Sequence, residues 1–232
     1  MLIECIATTL EDAKRLEQSG ADRIELVSSL TEGGLTPSFG LIEKVIKDIK
    51  IPVNVMVRPH AQSFCYTDDE INIMKRDIEM IRVIGANGVV LGVLDEHQQI
   101  DLLALEDLLE GTIGLDVTFH RAIDSLADPV EGVRKLTKYK EVTTILTSGG
   151  FGDWTERLQT IKEMNRVSKH ISILVGSGLT KNNISDVHER IQLNQYHFGT
   201  SLREKQSPVH PIDVQAAREI MEILQGRGDG NK

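Results

Sequence analysis

The chain has 232 residues, with 26 Lys plus Arg against 35 Asp plus Glu and a net charge of −9. That length suits one domain with a sizeable core, and an acidic balance without a local basic patch argues against a nucleic-acid partner. No stretch nears the about 18 apolar residues of a membrane span, Met1-Leu2-Ile3-Glu4 opens no signal-type segment, and two cysteines, Cys5 and Cys65, are too few for a disulfide-stapled domain, so a soluble cytoplasmic protein with free thiols is expected.

Short β-branched runs alternate with amphipathic segments along the whole chain, the pattern of parallel strands and crossover helices. Strands are predicted to begin near Ile3, Arg23, Val53, Gly88, Leu115, Val142, Ser172 and Gln195. Between them, Gln18-Ser19-Gly20 closes the first helix, and Thr36-Pro37 places an N-cap before a proline at the next helix's first position. Thr67-x-x-Glu70 forms a capping box ahead of Ile71, Met74, Ile78 and Ile81, Gly85 stops that helix, and Asp128-Pro129 opens a later one. Eight such units without a Pro/Gly-rich linker predict a single (β/α)8 TIM barrel over residues 1–225, with a doubly wound open sheet as the alternative. Residues 226–232 read as a polar C-terminal tail in which Arg227-Gly228-Asp229 is a chance tripeptide.

In such a barrel one face of each strand meets the helices and the other faces the lumen, with a side-chain period of two. In Val53-Asn54-Val55-Met56-Val57-Arg58 the valines share one parity, which sends Arg58 to the lumen side at the strand's C-terminal end. The same test turns Glu4, Glu25, Thr118, His120 and His197 inward, sets Arg121 at the exit of its strand, and turns Cys5 toward the helices. Five strands thus aim polar groups at one end, where this fold builds its sites. The plain structural reading is an ion-pair network of Glu4 or Glu25 with Arg58 that only fills space.

Two glycine-rich turns follow the last strands: Gly176-Ser177-Gly178 and Gly199-Thr200-Ser201. Bare N–H groups there suit an anion, with hydroxyls of Ser177, Thr200 and Ser201 as added donors. A third turn, with Ser148 and Gly149, follows strand six. The competing reading is that these glycines only make tight turns.

The segments Ala21-Asp22-Arg23-Ile24-Glu25-Leu26, Glu32-Gly33-Gly34-Leu35-Thr36-Pro37, Phe64-Cys65-Tyr66, Thr118-Phe119-His120-Arg121-Ala122-Ile123-Asp124 and Leu146-Thr147-Ser148-Gly149-Gly150 together resemble the CutC family. The resemblance implies a cytoplasmic TIM barrel named for copper homeostasis, with some members binding Cu(I) and forming homo-oligomers. Where many relatives read Glu-Leu-Cys this chain has Glu25-Leu26-Val27, and the segment between Arg58 and Phe64 also departs from the family pattern.

Three functions follow. Copper binding would draw soft ligands from Cys5, Cys65, Met56, His60, His120 and His197, with Cys65 and His197 as the metal candidates. An enzyme acting on a small phosphorylated or carboxylated metabolite would use His120 as general acid/base titrating near neutral pH. Glu25 or Glu4 would be its carboxylate partner, Arg58 and Arg121 the anion clamps, and Asp124 would orient one of these arginines. The third reading is a non-catalytic scaffold.

Overall fold

The computed structural model describes residues 1–226, so Arg227-Gly228-Asp229 lies outside the described residues. Eight strands form a closed parallel barrel in sequence order: β1 Leu2–Ala7, β2 Arg23–Leu26, β3 Val53–Met56, β4 Gly88–Leu91, β5 Asp116–Phe119, β6 Val142–Thr147, β7 Ser172–Val175 and β8 Gln195–Phe198. Pairing of Glu4 with both Arg23 and His197 closes the ring and excludes the open sheet. The helices α1 Leu10–Ser19, α2 Phe39–Asp48, α3 Asp68–Ile84, α4 Leu102–Leu109, α5 Pro129–Leu136, α6 Trp154–Val167, α7 Ile184–Ile191 and α8 Val214–Gln225 surround it. None of them is long and apolar enough to cross a membrane.

Local sequence explains most of the boundaries. Gly20 and Gly85 end α1 and α3 in the left-handed region, at φ 91° and 89°, where a Cβ would be strained. The Thr67–Glu70 capping box is present, and Asp128 caps α5 ahead of Pro129. The expected start of α2 at Thr36-Pro37 is corrected to Ser38, whose hydroxyl accepts from the Leu41 N–H. Thr36 cannot cap that helix because its hydroxyl oxygen accepts from the Arg58 N–H, 2.9 Å away.

Alternation divides the interior into two apolar regions. The larger lies between strands and helices and includes Ile3, Cys5, Ile24, Val55, Val89, Val117, Phe119, Tyr196 and Phe198. A small one, Val27, Met56 and Val90 with Ile6 and Leu30, fills part of the lumen and floors the mouth. Burying such side chains contributes about 1.5–3 kcal/mol each, which fixes the parity of every strand and therefore the aim of its polar residues.

Candidate active site at the barrel mouth

The wall made by β8, β1 and β2 carries a chain of charges. Arg23 Nε donates to Glu4 Oε2 at 2.5 Å, and His197 Nδ1 lies 2.8 Å from Glu4 Oε1. His197 Nε2 faces Glu25 Oε2 at 3.5 Å. All four residues are more than nine-tenths buried. Burial disfavours the imidazolium, but the Glu25 and Glu4 carboxylates outweigh it and raise the His197 pKa. Burial also pushes the Glu4 carboxyl up, yet Arg23 and His197 together hold it below its usual value. Glu25 differs: burial, opposed by His197 and reinforced by the Glu4 charge, pushes its pKa up to about 7. Its Oε1 has no hydrogen-bond partner among the described residues.

Arg23 was not singled out by sequence reasoning, although it shares the lumen parity of Glu25 two residues later. The network expected between the glutamates and Arg58 is corrected accordingly, since Arg23 stands beside Glu4 in the strand register and Arg58 does not. Arg58 instead donates Nη1 to the carbonyls of Glu32 and Gly34, and its guanidinium stacks over Phe64, 4.8 Å from the ring centre. It fastens the loop after β2 and leaves its charge near the cavity.

On the β5–β6 side, His120 Nδ1 accepts from the Ala122 N–H at 3.2 Å, which puts the ring proton on Nε2. Nε2 has no partner among the described residues. Burial, with the Arg58 and Arg121 charges, drives the pKa of this imidazole down to about 3, so His120 is neutral at pH 7. The expected carboxylate partner and near-neutral titration of His120 are both corrected, because Glu4 and Glu25 turn to His197. Gly92 makes room for the ring: a Cβ there would stand 2.4 Å from His120 Nδ1.

Asp124 does orient one arginine, accepting from Arg121 Nε at 2.9 Å. It also accepts from the Ser148 N–H at 3.0 Å, the Ser148 hydroxyl at 2.7 Å and the Thr147 hydroxyl at 2.5 Å. The Gly149 N–H goes to Thr147 Oγ1. Ser148 is therefore corrected from anion donor to anchor of Asp124, and the Gly149 N–H is spent on Thr147, since each of these groups already has an acceptor.

The other two turns keep their donors open. Among the described residues, the N–H groups of Ser177, Gly178, Gly199, Thr200 and Ser201 reach no protein acceptor, whereas that of Gly176 donates to the Thr147 carbonyl. Gly176 serves otherwise: a Cβ there would press on Leu146 and His197. Arg157 ties the β6 and β7 turns together, donating to the carbonyls of Ser148 at 2.6 Å and Ser177 at 2.8 Å while stacking 3.9 Å from the Trp154 ring centre.

A cavity of about 750 Å³ opens at this end of the barrel. Glu25, His197, His120, Arg58, Arg121 and Asp124 line it together with Ser177, Gly178, Gly199, Thr200 and Ser201. A volume of this order suits a small metabolite.

The copper candidates do not converge. Cys65 is exposed and is not part of the cavity lining. Cys5 is sealed under the helices, and burial lifts its thiol well above the usual range. His60 has one ring nitrogen on Glu70 and the other accepting from the Gln62 N–H, and both nitrogens of His197 face carboxylates. Among the described residues no three His, Cys, Asp or Glu side chains gather as a metal-binding group. The donor set fits Cu(I) poorly, because that ion favours thiolate and thioether sulfur.

Residues 1–202 match the CutC family. The chain belongs to the CutC family. It is 35% identical to a family protein CutC of Pasteurella multocida over 212 residues, 90% of this chain and 86% of that protein. It is also 38% identical to the human copper homeostasis protein cutC homolog over 197 residues, 84% of this chain and 72% of that protein. A solved CutC structure from Streptococcus agalactiae superposes with a TM-score of 0.79 at 33% identity, covering 86% of this chain and 98% of that one. Phosphoribosylanthranilate isomerase from Thermotoga maritima superposes at 0.64 over 97% of this chain with 14% identity, a likeness of fold alone.

Proposed function

We propose that this CutC chain is an enzyme whose barrel mouth binds a small phosphorylated or carboxylated metabolite and moves a proton on it. The reading rests on one observation: the same cavity is lined by a buried carboxyl displaced to about pH 7, by a neutral imidazole, and by two turns with open N–H donors. A carboxyl displaced in this way is poised for proton transfer at neutral pH. Arg121, half-exposed and held by Asp124, supplies positive charge at the rim for the ligand's anionic group. Copper handling, the role in the human relative's name, lacks a comparable arrangement of sulfur ligands here.

The test is ligand stabilisation. Inorganic phosphate, phosphorylated sugars and small carboxylates are titrated while the melting temperature is followed. A ligand at a hundredfold excess over its Kd adds about 2.7 kcal/mol of stability. Arg121→Gln should reduce the shift. If no compound in the panel stabilises the protein, the anion-site reading fails.

A further inference from the structure

The two turns, the imidazole and the lone carboxyl restrict the chemistry beyond anion binding. We propose that the site labilises the carbon–hydrogen bond next to the carbonyl of a small phosphorylated hydroxy-carbonyl compound. Glu25 takes the proton, His120 Nε2–H holds the carbonyl oxygen, and the Ser177-Gly178 and Gly199-Thr200-Ser201 turns hold the phosphate. This assignment rests on the anion-site reading above and adds to it the reaction and the substrate class.

Three observations carry it. First, the turns offer five open N–H groups and three hydroxyls from two neighbouring segments. A tetrahedral phosphate has enough terminal oxygens for donors arriving from two sides, whereas a carboxylate has only two. Second, the Ala122 N–H fixes His120 as the Nε2–H tautomer without a carboxylate behind it. A neutral imidazole held in this way polarises a carbonyl by donating a hydrogen bond and does not serve as an imidazolium acid.

Third, the cavity offers a single proton-accepting group that is neither exposed nor fully committed. Asp124 is saturated by Arg121, Thr147 and Ser148, and Glu32 stands at the exposed rim. Glu25 retains an unpartnered Oε1. Hydrolysis or condensation calls for a separate acid and base. A single carboxylate suffices when the group that removes a proton from carbon also delivers one back to carbon.

The step balances without a cofactor. The Glu25 carboxylate removes the proton, the carbon–hydrogen electron pair becomes the carbon–carbon double bond, and the carbonyl π pair moves to the oxygen held by His120. Exchange of the Glu25 proton with solvent and delivery of a deuteron to the same carbon gives exchange. Delivery to the former carbonyl carbon, with the hydroxyl proton passing from the neighbouring oxygen to the former carbonyl oxygen, gives the aldose–ketose isomer. Behind Glu25, Arg23 and Glu4 act as positioning residues that keep His197 facing it.

The experiment places the whole chain in deuterium oxide with dihydroxyacetone phosphate and with pentulose and hexulose phosphates, and follows loss of the α-proton signal by NMR. The expected result is exchange of at least one compound, rising with pH through a single ionisation near 7. Glu25→Gln should slow exchange by about 10²–10⁴-fold, the range for one acid/base group. His120→Phe keeps ring bulk against Phe64, removes the donor, and should also slow exchange. Melting temperatures with and without inorganic phosphate separate the two claims. Phosphate stabilisation without exchange in any compound overturns the chemistry and leaves the anion site standing. Absence of both overturns both, and undiminished exchange in Glu25→Gln removes Glu25 as the base.

Discussion

On the β8–β1–β2 wall the charged groups of Arg23, Glu4, His197 and Glu25 answer one another, whereas on the β5–β6 wall His120 and Asp124 are held chiefly by backbone amides and hydroxyls. The difference decides which side can exchange protons. Burial, reinforced by the Glu4 charge, outweighs the facing His197, and Glu25 is displaced toward neutrality. An imidazole pinned by an amide and flanked by arginines stays uncharged. One wall stores a proton, and the other presents a fixed donor.

The sharpest way to break the first wall is Glu4→Gln, which leaves the buried Arg23 charge without its partner. It should destabilise the fold by about 3–5 kcal/mol, read from chemical denaturation. Asp124→Asn attacks the second wall, replacing an acceptor-only carboxylate by an amide whose NH2 faces donors. A loss of about 2 kcal/mol is expected, together with weaker anion binding as Arg121 loses its hold.

Glu25 on the first wall and His120 on the second should also carry opposite pH signatures. Glu25 binds its proton more tightly folded than unfolded, so its contribution is present below its usual pKa of 4.5 and is lost as pH rises through about 7. His197, also raised, acts in the same direction from 6.5 upward. His120 is depressed, so its contribution is present above 6.5 and is lost as pH falls toward 3. Urea midpoints across this range should show Glu25→Gln flattening the fall toward neutral pH and His120→Phe flattening the fall toward acid. The smallest effect belongs to Cys65→Ser. On an exposed rim position it should move stability by less than about 0.5 kcal/mol and leave phosphate stabilisation unchanged.

Much of this arrangement was legible in the sequence because a barrel strand alternates strictly between its helix face and its lumen face. The valines of β3 and the apolar set of β5 placed Arg58 and His120 correctly, and the same rule turned Cys5 away from the lumen. Partners were harder to read. Which cation meets Glu4 depends on the stagger between strands, and parity says nothing about stagger. The Ser148-Gly149 turn resembled its two neighbours in composition, but a carboxylate from the preceding unit had claimed its donors. Thr36-Pro37 misled for a related reason, since the threonine hydroxyl served the next strand and not its own helix.

The stacked pair of Trp154 and Arg157 has a practical use. Trp154 is the only tryptophan in the chain, and it lies against the cation that joins the β6 and β7 turns. Cys65, after β3, is the exposed one of the two thiols. A dye on that sulfur and the native indole form an energy-transfer pair set on separate loops of the mouth, so the emission of one chain can report whether the loops draw together when an anion arrives.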